Sequence, residues 1–114
     1  MAERAIRVGL VGLGTIGTGV VRALQSHGTL IAERLGFPLE LARIADVDLE
    51  RERGVDLGGY RLSRDWREIV DDPSIDLIVE LVGGTGVARE LVLAALDAGK
   101  HVVTANKALL AKHG

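Results

Sequence analysis

The spacing of hydrophobic positions changes several times along the chain, and each change predicts an element. Residues 6–11, Ile-Arg-Val-Gly-Leu-Val, form a short apolar run with β-branched residues, bounded by glycine, which predicts a buried strand. Beyond Gly14 the spacing becomes three and four. Ile16, Val20, Ala23, Leu24 and His27 share one stripe, the pattern of a helix. Gly28 is expected to interrupt it, and a second short helix over 29–35 would stop at Gly36, ahead of Pro38. Residues 39–45 predict a second strand, closed by Asp46. The polar, glycine-bearing segment 47–63 predicts a connection with little regular structure. Ser63 would then cap a short helix over 64–71, with Asp65 in its first turn. Residues 76–82 predict a third strand, turned by Gly83-Gly84. A helix over 86–98 follows, with Val87, Leu91, Ala94 and Ala95 inward and Gly99 as its stop. A fourth strand over 101–104 and a helix over 106–112 complete the pattern.

The order is therefore β-α-β-α-β-α-β-α. Such alternation predicts an α/β fold, a doubly wound parallel sheet of about four strands with right-handed crossovers and helices on both faces. Ligands of these sheets sit beyond the carboxyl ends of the strands. Here those ends carry Gly12–Gly17, Asp46, Gly83–Gly84 and Ala105–Lys107.

Composition removes several classes of function. A chain of 114 residues is one domain's worth, and it can bury roughly 65% of its unfolded surface. The net charge of −2 and the scarcity of aromatic residues argue against a nucleic-acid surface. Without cysteine there is no disulfide framework and no thiolate chemistry. The three histidines are scattered, so no metal site is expected. Ser26 and Ser63 have no histidine–carboxylate partners that the sequence supports, which leaves nucleophilic catalysis without a basis. No run approaches the length of a membrane span and no targeting pattern is visible, so a cytoplasmic protein without a membrane partner is expected. The 15 glycines with only 2 prolines instead suggest turns where backbone must approach something closely.

Gly12-Leu13-Gly14-Thr15-Ile16-Gly17 is a G-x-G-x-x-G between a strand and a helix, the context in which this motif binds a dinucleotide. Gly12 permits the tight turn, Gly14 clears a side chain from the pyrophosphate, and Gly17 lets helix and strand pack closely. The amide groups and helix dipole then face the phosphates. Asp46 stands where a carboxylate accepts hydrogen bonds from the adenosine ribose. It lies 29 residues beyond Gly17, against about 20 in the usual fingerprint, and the segment around Gly28–Gly36 supplies the excess. Its charge favours NAD. Arg51 and Arg53 downstream can neutralise a 2′-phosphate, which favours NADP, and Asp46 can equally be a plain turn residue. Gly83 and Gly84 would let backbone approach the middle of the cofactor, or simply turn the chain. Glu80 interrupts the third strand and is expected to pair with a neighbouring cation or hydroxyl. Lys107 stands just past the fourth strand. Its ammonium can hydrogen-bond a carbonyl oxygen and donate a proton, or it is a solvated residue of the first helical turn. Thr104 and Asn106 would orient Lys107 or contact the nicotinamide ribose, or else serve turn and cap chemistry.

Three stretches together closely resemble the amino-terminal region of homoserine dehydrogenases: Gly12 to Val21, Val79 to Gly84, and Ala98 to Ala111 with its Thr104-Ala105-Asn106-Lys107. The likeness runs over nearly the whole chain, and the last stretch is its most specific part. The resemblance implies a Rossmann-type domain over 1–114 that binds NAD or NADP. It implies an oxidoreductase interconverting homoserine and aspartate 4-semialdehyde in aspartate-derived amino-acid synthesis. Carried over by position, Gly12, Gly14 and Gly17, with the backbone amides of Thr15 and Ile16, bind the pyrophosphate. Gly83 and Gly84 lie along the cofactor, and Thr104, Asn106 and Lys107 reach its nicotinamide side. Lys107 is the catalytic residue of this set. The family continues into a catalytic and dimerisation domain that this chain lacks, so the chain is expected to be a truncated piece, inactive alone, of a homo-oligomeric parent. The rivals are another NAD(P)-dependent dehydrogenase, acting on an amino acid or a sugar, and a non-catalytic dinucleotide sensor.

Overall fold

In the computed structural model, residues 5–51, 53–82 and 86–104 are described. Five strands and three helices follow one another: β1 (Ile6–Val11), α1 (Thr15–Leu35), β2 (Leu39–Ala45), β3 (Arg61–Ser63), α2 (Arg67–Val70), β4 (Leu77–Glu80), α3 (Gly86–Asp97) and β5 (His101–Thr104). The strands make one sheet in the order β3-β2-β1-β4-β5, and every pairing is parallel. β1 is the centre. The chain winds outward from it first to one side and then to the other, so the strand order reverses between β1 and β4.

Both faces of the sheet are covered, as a parallel sheet requires. Val11, Ile69, Ile78, Leu91 and Ala95 form the core beneath α2 and α3. Leu10, Leu13, Val21 and Ile44 form the core beneath α1. On the α2 side, a side chain at Gly9 would meet the Ile69 Cγ2 at 2.4 Å, so the helix rests directly on the β1 backbone. The pairing of β1 with β2 slips by one residue between Val8 and Gly9.

The structure corrects the expected pattern in four places. The sheet has five strands, not about four. Arg61–Ser63, inside the segment expected to be irregular, pairs with β2 as an edge strand. Three residues, two of them exposed, carry no apolar run, and the strand exists because its backbone groups meet those of Arg43–Ala45. The first helical segment, Thr15 to Leu35, kinks at His27 (φ −130°, ψ 22°), one residue before the expected interruption at Gly28, and stops at Gly36 as expected. What differs is the face it buries. The face of α1 that meets the sheet is Gly17, Thr18 and Val21, whereas Ile16 is 64% exposed and His27 is exposed. Close approach at Gly17 sets that face, and the broader apolar stripe does not. The second helix begins at Arg67. Ser63 and Asp65 each accept a backbone N–H two residues ahead, from Asp65 and Arg67, so both are spent on successive turns before the helix starts. In α3 the inward residues are Ala88, Leu91 and Ala95, and Val87 is exposed instead. The helix expected over 106–112 lies outside the described residues.

Candidate functional site

The carboxyl ends of β1, β2 and β4 enclose a cleft of about 300 Å³ at the point where the strand order reverses. Gly12, Gly14 and Asp46 line it, together with Val47, Trp66 and Val87. Each fingerprint glycine has its own steric reason. Gly12 has φ 108°, and a side chain there would press on the Leu81 carbonyl carbon at 2.9 Å. A side chain at Gly17 would reach the Gly12 carbonyl oxygen at 1.9 Å, which no repacking can absorb. A Cβ at Gly14 would meet nothing within 4 Å. The first two glycines are required by the protein itself. Gly14 is not, and its bare backbone borders the cleft at the start of α1.

The first turn of α1 has no acidic residue, and Gly14 stands at its N-cap without a side-chain cap. Its amide groups and dipole therefore favour an anion. Thr15 and Ile16 occupy that turn with exposed side chains, so they present backbone amides with no buried side chain in the way. An extended diphosphate fits the geometry: a bare glycine, a helix start, and a neighbouring cleft with apolar walls.

Asp46, at the end of β2, also borders this cleft. Its Oδ2 accepts the Leu13 N–H at 2.6 Å, and its Oδ1 accepts the Asp48 N–H at 2.8 Å. It is thus a turn residue as well as a cleft residue. An ionised carboxylate accepts about four hydrogen bonds, so capacity remains for ribose hydroxyls. Asp48 accepts the N–H groups of Glu50 and Arg51, which hold its carboxyl below the ordinary carboxylate range.

Arg51 and Arg53 are placed differently from the expectation that they would meet a 2′-phosphate. Both point at the glycine turn. The Leu13 carbonyl accepts from Arg53 Nε at 2.9 Å, from Arg51 Nη2 at 3.2 Å and from Thr18 Oγ1 at 3.2 Å. Arg53 also donates to the Arg51 and Asp48 carbonyls, and its Nη2 lies 3.7 Å from Asp46 Oδ1. Its side chain is 3% exposed. The cation that does border the cleft is Arg64, which is exposed and paired with Glu50 at 3.1 Å. Arg64, Trp66 and Val87 carry no motif, and only the fold brings them to the cleft.

Glu80 is fully buried at the end of β4. It accepts the Val82 N–H at 2.6 Å and the Thr104 hydroxyl at 2.5 Å. The expected hydroxyl partner is therefore Thr104, across the β4–β5 pair. Thr104 is held toward the sheet by this contact. Gly83, Gly84, Asn106 and Lys107 lie outside the described residues. Among the described residues no group of three or more potential metal ligands occurs, and no helix is long and apolar enough to cross a membrane.

An all-parallel sheet of order 3-2-1-4-5, with a glycine-dependent turn and a cleft at its switch point, defines a Rossmann-type nucleotide-binding domain. Residues 12–114 match the family described as homoserine dehydrogenase, NAD binding domain. Homoserine dehydrogenase of Methylobacillus glycogenes is 51% identical over 108 residues, which is 95% of this chain and 26% of that protein. The crystal structure of a homoserine dehydrogenase from Thiobacillus denitrificans superposes with a TM-score of 0.90 at 44% identity, over 99% of this chain and 26% of that one. The Staphylococcus aureus homoserine dehydrogenase at pH 7.5 gives 0.86 at 36% identity, over 96% and 28%. The chain belongs to the NAD-binding domain family of homoserine dehydrogenases, and it spans about a quarter of the length of the relatives it matches.

Proposed function

We propose that this chain is the cofactor-binding part of an NAD(P)-dependent homoserine dehydrogenase, which interconverts L-homoserine and L-aspartate 4-semialdehyde. The observation that carries the reading is Gly14. Two glycines of the turn are forced by the protein's own packing, whereas Gly14 is not, and it borders the cleft at the start of α1. When bound, a nicotinamide cofactor supplies the two-electron redox step between alcohol and aldehyde. The chain's own residues do the rest. Gly12, Gly14 and Gly17 shape the turn, and the Thr15 and Ile16 amides meet the pyrophosphate. Asp46 takes the ribose hydroxyls and favours NAD over NADP, because Arg53 is committed elsewhere. Gly83 and Gly84 run beside the cofactor, and Thr104 and Asn106 serve its nicotinamide side. Lys107 holds a proton for the substrate oxygen. These last assignments rest on the match of sequence.

The parent works as a homo-oligomer on a small-molecule substrate, without nucleic acid, in the cytoplasm. The test is Lys107→Ala in the full-length protein. Homoserine oxidation should fall at least about a hundredfold, the scale of a lost general acid–base group, while the calorimetric Kd for cofactor stays within about twofold. An unchanged rate removes Lys107 from the chemistry. A parent with no homoserine activity removes the substrate assignment.

A further inference from the structure

The Leu13–Gly14 peptide leads into Gly14, which borders the cleft, and its orientation is fixed through the Leu13 carbonyl. In a trans peptide the C=O and the next residue's N–H point in opposite directions. Three donors converge on the Leu13 carbonyl: the Arg53 guanidinium, the Arg51 guanidinium and the Thr18 hydroxyl. Whatever holds that oxygen holds the Gly14 N–H facing the opposite way. Asp46 fixes the preceding peptide through the Leu13 N–H at 2.6 Å. Gly14 has no side chain to resist rotation, so without these contacts the peptide is free to flip. The Gly14 N–H has no backbone acceptor among the described residues, although the Gly14 carbonyl accepts the Thr18 N–H.

Arg53 is built for this task. All three of its guanidinium nitrogens are engaged, on the carbonyls of Leu13, Arg51 and Asp48 and beside Asp46. A planar fork held at several points loses little freedom when a ligand arrives. Its charge also sits directly behind the peptide that would meet a diphosphate.

We propose that Arg53, assisted by Arg51, is a positioning residue that presets the Leu13–Gly14 peptide so that the Gly14 N–H faces the pyrophosphate of the dinucleotide. The proposal rests on the reading that this cleft binds a dinucleotide. It assigns the two arginines to the diphosphate common to both cofactors, and not to the 2′-phosphate that separates them.

The experiment is calorimetric titration of the full-length protein with NAD, NADP and ADP. ADP carries the diphosphate without a nicotinamide or a 2′-phosphate. Arg53→Ala should weaken every one of the three that binds wild type, by a common factor of about ten to a hundred, the range for losing a preset contact to a charged group. Arg51→Ala, at an exposed position, should weaken them by a few-fold, and Arg53→Lys should fall between. Should Arg53→Ala fail to fold, the other two variants decide. Binding stoichiometry and melting temperature report folding separately. A merely structural arginine lowers those and leaves the Kd of the folded protein unchanged, which would overturn the proposal. Loss of NADP alone, with NAD or ADP intact, would overturn it in favour of a 2′-phosphate contact. Wild-type protein that binds none of the three overturns the dinucleotide reading itself and this inference with it.

Discussion

Two nearly buried arginines, Arg43 and Arg53, show how one residue type serves two ends. Arg43 leaves β2 toward the α2 face. It pairs with Asp72 at 3.1 Å, donates to the Glu68 carbonyl at 3.1 Å, and has 8% of its side chain exposed. Its contacts tie β2 to the turn before β4, so they join parts of the core. Arg53 reaches the other face and donates to three carbonyls, with its nearest carboxylate oxygen at 3.7 Å. Its contacts hold a loop. The charge of Arg43 is matched by a short ion pair, whereas that of Arg53 is answered mostly by backbone dipoles. A buried charge with a short partner belongs to stability. One that leans on carbonyls of a glycine turn leaves its field available to an incoming anion.

That contrast can be broken experimentally. The largest expected effect on folding is at Arg43. Arg43→Ala deprives Asp72, which is 16% exposed and still held by Ser74, of its cation, and should cost about 2 kcal/mol of unfolding free energy in urea. Cofactor affinity should stay near wild type, so an affinity loss as large as that of Arg53→Ala would erase the distinction. The next effect is on the acid limb. Asp72 is held down to about 2 by the Ser74 hydroxyl, then the Ser74 N–H, then Arg43. A depressed carboxyl stabilises the fold above its unfolded value and loses that contribution as pH falls through its folded value. The contribution should therefore vanish between about pH 4 and pH 2. Ser74→Ala should move the acid midpoint of unfolding upward, at a cost on the order of 1 kcal/mol at neutral pH. Because the Ser74 hydroxyl is the largest single cause, an acid midpoint that Ser74→Ala leaves unmoved would remove it from that role. The smallest effect is at Asp46. Asp46→Asn removes a negative charge from the cleft while keeping an acceptor for Leu13. It should raise the NADP-to-NAD affinity ratio by a few-fold, read by parallel titrations. An unchanged ratio would separate Asp46 from cofactor choice and leave it as a turn residue.

β1, β2, β5 and α3 were legible from the sequence and fall within a residue of expectation: β1 and β2 bury continuous runs at their carboxyl ends, α3 buries a stripe at helical spacing, and β5 is a short β-branched run set off from α3 by Gly99. β3 was not legible, since Arg61-Leu62-Ser63 is a strand only through its partner's backbone. The inward face of α1 was misplaced because contact at Gly17, a residue without a side chain, outweighs the hydrophobic stripe. The glycine turn was legible because close backbone approach fixes its spacing, and Asp46 because it closes the apolar run of β2. The destination of Arg51 and Arg53 was not. Nothing in one dimension distinguishes an arginine that meets a ligand from one that holds a carbonyl 40 positions earlier.

The central place of β1 has a consequence for synthesis. Val8 pairs with Leu77, so one edge of the innermost strand waits for a partner made almost seventy residues later. At typical translation speeds of about 5–20 residues per second, that edge spends roughly 3 to 14 seconds without its mate. During that interval the nascent chain offers a bare apolar ribbon to the cellular machinery that guards unfinished proteins, and only the arrival of residues 77–80 withdraws it.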